Sequence, residues 1–274
     1  MRKNKTARRP SPPSEEKKLV VYLTAGYPDF KTCLKTAVEA VKNGADIIEL
    51  GVPFSDPIAD GKTIQASSFL ALKKSFKDAK THIKKILHLS REISRRTAVQ
   101  EIYIMSYLNP ILSYGIPRLE EESRRIGIKG FIIPDLTCEE SVKLKNNGFN
   151  LPSNLVFMAA PNISLKDTQR LEKIASESRG FIYAVSLLGV TGARKKLNIP
   201  VKFLTTLRRI CHKKGKKVYA GFGVSSPSSA RRIARHTDGV IIGSAIIDII
   251  NKSGKNNAPA AVGRFCAKVK RSLL

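Results

Sequence analysis

From Leu19 onward, short apolar runs alternate with longer amphipathic ones, the pattern of repeated βα units feeding a parallel sheet. Eight short runs read as strands: Leu19 to Leu23, Ile47 to Leu50, Ile102 to Met105, Phe131 to Pro134, Leu155 to Ala159, Phe181 to Ser186, Val218 to Gly221 and Gly239 to Ile242. Between them lie helical periods. Phe30 to Asn43, opened by Asp29 as N-cap, places Leu34, Ala37, Val38 and Val41 on one face. Residues 77 to 95 do the same with Ile83, Ile86, Leu87 and Ile93, and residues 166 to 177 with Leu171 and Ile174. Eight such strands predict an α/β fold, a closed (β/α)8 TIM barrel formed by residues 19–274 as one catalytic domain. Chemistry in these barrels sits at the C-terminal strand ends, on the loops that lead into the helices.

The segment Glu49 to Gly61 draws attention on that ground. The run from Ala45 to Leu50 suits a strand buried on both faces and is broken only by Asp46 and Glu49. A lone buried carboxylate is costly unless it is paired, protonated or functional, so Glu49 reads as an acid with a raised pKa, with an ion-paired core glutamate as the bland alternative. The loop after it brings a second acid, Asp60, is stiffened by Pro53 and Pro57, and has Gly51 and Gly61 where unusual backbone conformations would be permitted.

The string Glu49 to Gln65 resembles the signature of the tryptophan synthase alpha chain family. Six further segments match in order: Leu23 to Pro28, Met105 to Pro110, Pro134 to Leu136, Gly189 to Gly192, Gly221 to Val224 and Gly243 to Ala245. Together they cover roughly residues 19 to 250, and all fall at strand ends. The resemblance implies a lyase that splits indole-3-glycerol phosphate into indole and glyceraldehyde 3-phosphate by a retro-aldol step. It makes Glu49 the general acid and base, and Asp60 the acceptor of the indole N–H. By the same resemblance Tyr22, Ile64, Met105, Ile132, Met158 and Ile241 line an indole pocket with Tyr107 and Tyr183. Gly192, Phe222, Gly223, Gly243 and Ser244 form a phosphate cradle built from backbone N–H groups after strands six, seven and eight. Thr191, between glycines, belongs to a lid that closes over substrate. Asp56, Pro57, Asn109 and Pro110 match positions that contact a beta chain in an α2β2 complex, and the pyridoxal phosphate of that complex belongs to the beta chain, so no cofactor is expected here.

Several positions depart from the family pattern. Lys62 replaces the usual proline after Asp-Gly, where its amine could depress the Asp60 pKa or point to solvent; Thr137 follows Pro-Asp-Leu where proline is usual; Leu188 precedes the lid motif; and Ser75 replaces a common glycine. These leave open a weakly active or silent subunit that serves a beta chain as an allosteric partner. A different phosphate-binding barrel would call for acids or metal-spaced histidines on other strands, which the sequence lacks.

Composition changes this picture in one respect. The 274-residue chain is 42% hydrophobic and 26% charged, ordinary for a globular protein, but its net charge is +27. Residues 1–18 hold seven basic and two acidic residues, leaving +22 for the remainder in short pairs such as Lys84-Lys85, Arg95-Arg96 and Arg231-Arg232. With aromatics at 7% and no recognisable nucleic-acid module, the charge reads as a solvated surface. The basic, Pro/Ser-rich segment 1–18 lacks an apolar core, so a disordered tail is expected rather than a secretory signal, with a transit peptide as the alternative; the helix that plugs the barrel floor in the family is not legible there. Cys33, Cys138, Cys211 and Cys266 lack metal or redox spacing, which suggests a reduced cytoplasmic setting. His82, His88, His212 and His236 lack acidic or cysteine neighbours at metal spacing and read as surface residues; no metal site is expected.

Overall fold

The structure, a computed structural model, describes residues 16–75, 82–99, 101–164, 167–185, 199–221 and 223–274. Among these residues nine parallel strands form one sheet: β1 (Lys18–Thr24), β2 (Ile47–Gly51), β3 (Glu101–Met105), β4 (Gly130–Ile132), β5 (Leu155–Val156), β6 (Met158–Ala159), β7 (Ile182–Val185), β8 (Val218–Gly221) and β9 (Gly239–Ile242). The order β5-β4-β3-β2-β1-β9-β8-β7-β6 is that of a barrel, because β5 and β6 are two halves of one stretch and bring the ends of the list together. The expected fifth strand is thus split at Phe157, whose N–H leaves the ladder to reach Ser178 Oγ at 2.8 Å. The fourth strand ends at Ile132 instead of Pro134, since Ile133 opens a turn closed by the Leu136 N–H at 3.1 Å.

Around the barrel run α1 (Phe30–Lys42), α2 (Lys62–Ser75), α3 (His82–Arg96), α4 (Leu108–Tyr114), α5 (Ile116–Ile126), α6 (Cys138–Asn146), α7 (Thr168–Glu177), α8 (Val201–Lys213), α9 (Pro227–Ala234) and α10 (Ser244–Leu273), the last kinked at Gly254. Asp29 caps α1 as the sequence predicts, accepting the Thr32 N–H at 2.8 Å. The buried face of α1 is rotated from the expected one: Cys33, Thr36, Ala37 and Ala40 are buried, while Leu34, Val38 and Val41 lie half-buried at its edge. Small residues go inward because α10 crosses close by; a Cβ on Gly263 would stand 3.3 Å from the Glu39 carbonyl oxygen. In α3 and α7 the expected apolar residues are buried; α3 begins at His82, residues 77–81 of the expected helix lying outside the described ones.

Side chains alternate between two cores, as strand geometry requires. Leu19, Val21 and Leu23 of β1 join the shell packed under the helices, whereas Val20 and Tyr22 point into the barrel with Ile47, Tyr103, Met105, Ile132, Tyr183 and Ile241. Glu49 follows Ile47 by two, so the same alternation turns its carboxyl into the barrel, opposite Tyr22 and Tyr103 in the register.

Charge at the opposite, N-terminal rim of the barrel is paired. Asp46 accepts the Leu19 N–H and the Lys270 ammonium, each at 2.7 Å, and Lys270 also meets Glu16 at 2.9 Å. Of the segment expected as a tail, Glu16, Lys17 and Lys18 are tied to the barrel, Lys17 by a bond to the Thr237 carbonyl at 2.7 Å and Lys18 by its place in β1, and residues 1–15 lie outside the described residues. His212 is not simply a surface residue. Its Nε2 lies 2.8 Å from buried Asp238, which also holds Arg208 Nε at 2.8 Å and the Val218 N–H at 2.9 Å. Burial works to raise the Asp238 pKa, but these donors outweigh it and hold the carboxyl below its ordinary value.

Candidate active site

β2 delivers Glu49 to the barrel mouth and the following loop returns Asp60 beside it. Glu49 is fully buried, and neither carboxyl oxygen has a hydrogen-bond partner among the described residues. Burial, and then the nearby charge of Asp60, push its pKa up to about 8. Asp46, just before β2, is by contrast surrounded by donors. The ion-paired alternative for Glu49 therefore finds no support among the described residues.

Asp60 is 5% exposed and differently placed. Burial lifts its pKa to about 6, and the Tyr107 hydroxyl, donating at 3.3 Å, works the other way. Tyr107 in turn accepts the Ala59 N–H at 2.9 Å and stacks on Phe54 with ring centroids 5.0 Å apart, so the loop is pinned on both sides of the acid. Gln65 closes it from α2 by donating to the Asp60 carbonyl at 2.8 Å. Lys62 is exposed at the start of α2 and does not depress the Asp60 pKa, the first of the two possibilities raised for its amine.

Gly51 is required for a reason other than backbone freedom. The Tyr22 hydroxyl and ring edge occupy the place where a Cβ on residue 51 would be, and the Tyr22 side chain thereby reaches the two acids. Gly223, by contrast, has φ +80° and does use the left-handed region.

A narrow cavity of about 40 Å³ is lined by Glu49, Asp60, Tyr22, Ile64, Met105 and Tyr183. Gly61, Gly223, Val224, Ile241, Gly243 and Ser244 complete it. Ten of the expected site residues thus meet at one opening. Ile132 and Met158 sit in the same apolar interior without reaching the pocket wall, and Tyr107 acts on the opening through Asp60. Thr191, Gly192 and Phe222, with the lid and Leu188, lie outside the described residues. Val224 is a wall residue that sequence reasoning passed over, although it stands in the quoted Gly221-to-Val224 segment.

At one side of the pocket α10 begins at Ser244, after Gly243, with no side chain capping it. The N–H groups of a first helical turn have no intrahelical acceptor and carry the positive end of the helix dipole, which suits an anion. Asp135 has a role the sequence did not disclose: its carboxylate accepts the Leu108 N–H at 3.0 Å and caps α4, locking the loop after β3 to the loop after β4. Thr137 is accounted for as well. With Glu140 it forms a capping box for α6, donating its N–H at 3.1 Å, a bond that proline could not make.

On the same face of the barrel Asp56 and Asn109 are exposed, Pro57 and Pro110 half-buried, and Ile58 beside them is 76% exposed.

A neutral acid beside a second carboxyl that ionises two pH units lower, both facing an opening with a helix N-terminus at its edge, defines an acid–base enzyme of the (β/α)8-barrel class. Relatives narrow that class. A model of the family described as "Tryptophan synthase alpha chain" matches residues 11–272. The tryptophan synthase alpha chain of Geotalea uraniireducens is 38% identical over 255 residues, covering 93% of this chain and 91% of that one. The alpha chain of Clostridium kluyveri is 38% identical over 259 residues, covering 94% of each. Among solved structures, the tryptophan synthase α2β2 complex of Pyrococcus furiosus contains a chain that superposes with a TM-score of 0.75 at 35% identity, covering 93% of this chain and 98% of that one. The chain belongs to the tryptophan synthase alpha chain family.

Proposed function

We propose that the chain is the alpha subunit of a tryptophan synthase, a lyase that cleaves indole-3-glycerol phosphate to indole and glyceraldehyde 3-phosphate in tryptophan biosynthesis. The observation that carries the reading is Glu49, a buried carboxyl without a hydrogen-bond partner among the described residues, whose pKa of about 8 keeps its proton at neutral pH. In the reaction Glu49 gives that proton to indole C3 while Asp60, ionised above about pH 6, takes the indole N–H; the ring becomes the indolenine tautomer. The Glu49 carboxylate then removes the proton of the substrate hydroxyl next to the ring. The C–C bond breaks, its electron pair returns to C3, the new carbonyl leaves as the aldehyde of glyceraldehyde 3-phosphate, and Asp60 returns its proton to nitrogen. Both acids end as they began.

Tyr22, Ile64, Met105, Tyr183 and Ile241 hold the indole, with Ile132 and Met158 behind them, and Tyr107 keeps Asp60 in place. Gly223, Gly243 and Ser244 with the start of α10 take the phosphate, a role shared with Gly192 and Phe222, and Thr191 belongs to the lid. Asp56, Pro57, Asn109 and Pro110 meet a beta chain in an α2β2 tetramer; the alpha chain of the Pyrococcus furiosus α2β2 complex supports the assembly, and Ile58 supplies an apolar contact there. Pyridoxal phosphate resides in that partner. Four unpaired cysteines are in keeping with a cytoplasmic enzyme, and no helix among the described residues is long and apolar enough to cross a membrane.

The test is indole release from indole-3-glycerol phosphate, measured with the chain alone and with a beta chain from the same source. Release stimulated by the partner supports the reading; absent release from a folded chain that still activates the beta chain overturns it in favour of a silent, regulatory subunit.

A further inference from the structure

The net charge of +27 plays no part in the chemistry above, and the fold gathers a share of it on one side of the barrel. There α1 and α3 run side by side and leave an open groove of about 720 Å³ between them. Its floor is apolar: Phe30 and Leu34, one turn apart on α1, and Leu89 of α3. Its rim is cationic, with Lys31 on α1 and Lys84, Lys85 and Arg96 on α3, and His88 between them.

The one acid among the described residues of the groove is already neutralised. Glu92 meets Arg96 at 2.8 Å and Arg95 at 3.7 Å. The neighbouring groove between α3 and α5 repeats the arrangement, with Lys84, His88, Arg91, Arg95 and Arg125 around Glu122, which Arg118 already holds at 2.9 Å. Lys31 and Arg91 form no ion pair among the described residues. Among the described residues cations are thus in excess along both flanks of α3, beside a partly apolar channel.

We propose that the α1–α3 groove is a docking site for an acidic amphipathic helix of a partner protein, distinct from the face that meets the beta chain. Each half of the site asks for one half of such a helix. Leucine-type residues spaced three or four apart would lie on Phe30, Leu34 and Leu89, while flanking glutamates would meet Lys31 and Lys84. Complementary charge sets register and speeds encounter; the apolar floor supplies the area removed from water. A nucleic acid would satisfy the cations but has nothing to lay on the floor, and a flat membrane surface would not reach it.

The test uses the full-length chain and a fluorescein-labelled synthetic 14-residue peptide, helix-forming, with leucines on one face and glutamates on the other, followed by anisotropy. Saturable binding is expected, weakened at least fivefold between 50 and 300 mM NaCl. It should weaken at least tenfold for a scrambled peptide of the same composition and for a Lys31→Glu, Lys84→Glu, Lys85→Glu chain. A Lys143→Glu, Lys145→Glu, Lys173→Glu chain, reversed on the distant α6–α7 face, should bind within twofold of the parent. Indole release, whose machinery contains none of these residues, reports that each variant is folded. Equal affinity for the scrambled peptide, equal loss in the two triple variants, no saturable binding, or tighter binding of a 20-base-pair DNA duplex or phosphatidylglycerol vesicles at the same groove would each overturn the proposal.

Discussion

Replacing Glu49 by Gln should destroy indole release and, at neutral pH, stabilise the fold. The unfolded chain ionises this carboxyl near its ordinary 4.5, whereas the folded chain holds the proton up to about 8. Between those values the folded state binds more protons than the unfolded one, so wild-type stability falls as pH rises. At about 1.36 kcal/mol per pH unit, the cost to the wild type reaches about 3 kcal/mol at pH 7 and levels off at about 5 kcal/mol above pH 8. Glutamine has the same shape and does not ionise, so it escapes this cost. Its amide is also buried without partners, but that penalty does not vary with pH. Urea unfolding of both proteins at pH 5, 6, 7 and 8 isolates the term, because every other titrating group cancels in the difference. The gap should move in favour of Glu49→Gln by about 1 kcal/mol or more per pH unit up to pH 8. Parallel curves would refute the argument that Glu49 sits protonated and unpaired, and with it the assignment of the general acid.

The rate of indole release should follow a bell in pH, rising through about 6 as Asp60 ionises and falling through about 8 as Glu49 loses its proton; the two limbs belong to the interacting pair, and a profile flat from 5 to 9 would sink the division of roles. Gly51→Ala should cost about 1–3 kcal/mol in urea unfolding and most of the activity, because the new methyl must displace the Tyr22 ring toward the pocket; an unchanged kcat/KM would show the ring is free to give way. Asp238→Asn should destabilise by about 1–3 kcal/mol at pH 7 by leaving Arg208 and His212 without their anion. The Asp238 carboxyl titrates below its ordinary 3.8, so its contribution is present above that pH and is lost as pH falls through the lower folded value; a wild-type advantage that does not shrink as pH falls below 3.8 would contradict the pairing.

What could be read from the residues in order was whatever depends on short spacing. Apolar runs separated by helical periods gave the barrel and most strand limits to within a residue or two, since backbone pairing and burial act on neighbours. Glu49 was legible because an acid inside an apolar run is expensive wherever that run folds. What escaped was set by residues distant in sequence. The α1 face turned toward small residues because α10, more than two hundred positions later, packs against it. His212 found Asp238 from the next βα unit, and Asp135 capped a helix that begins at residue 108. Gly51 mattered through Tyr22 on the adjacent strand. Even the contrast between Asp46 and Glu49, two acids of similar local setting, was decided by Lys270 at one end of the barrel and by the lack of a donor among the described residues at the other. Sequence marked the acids set within and beside a buried run; only the tertiary structure decided which of them would find a partner, because hydrogen bonds and ion pairs depend on distances across the fold.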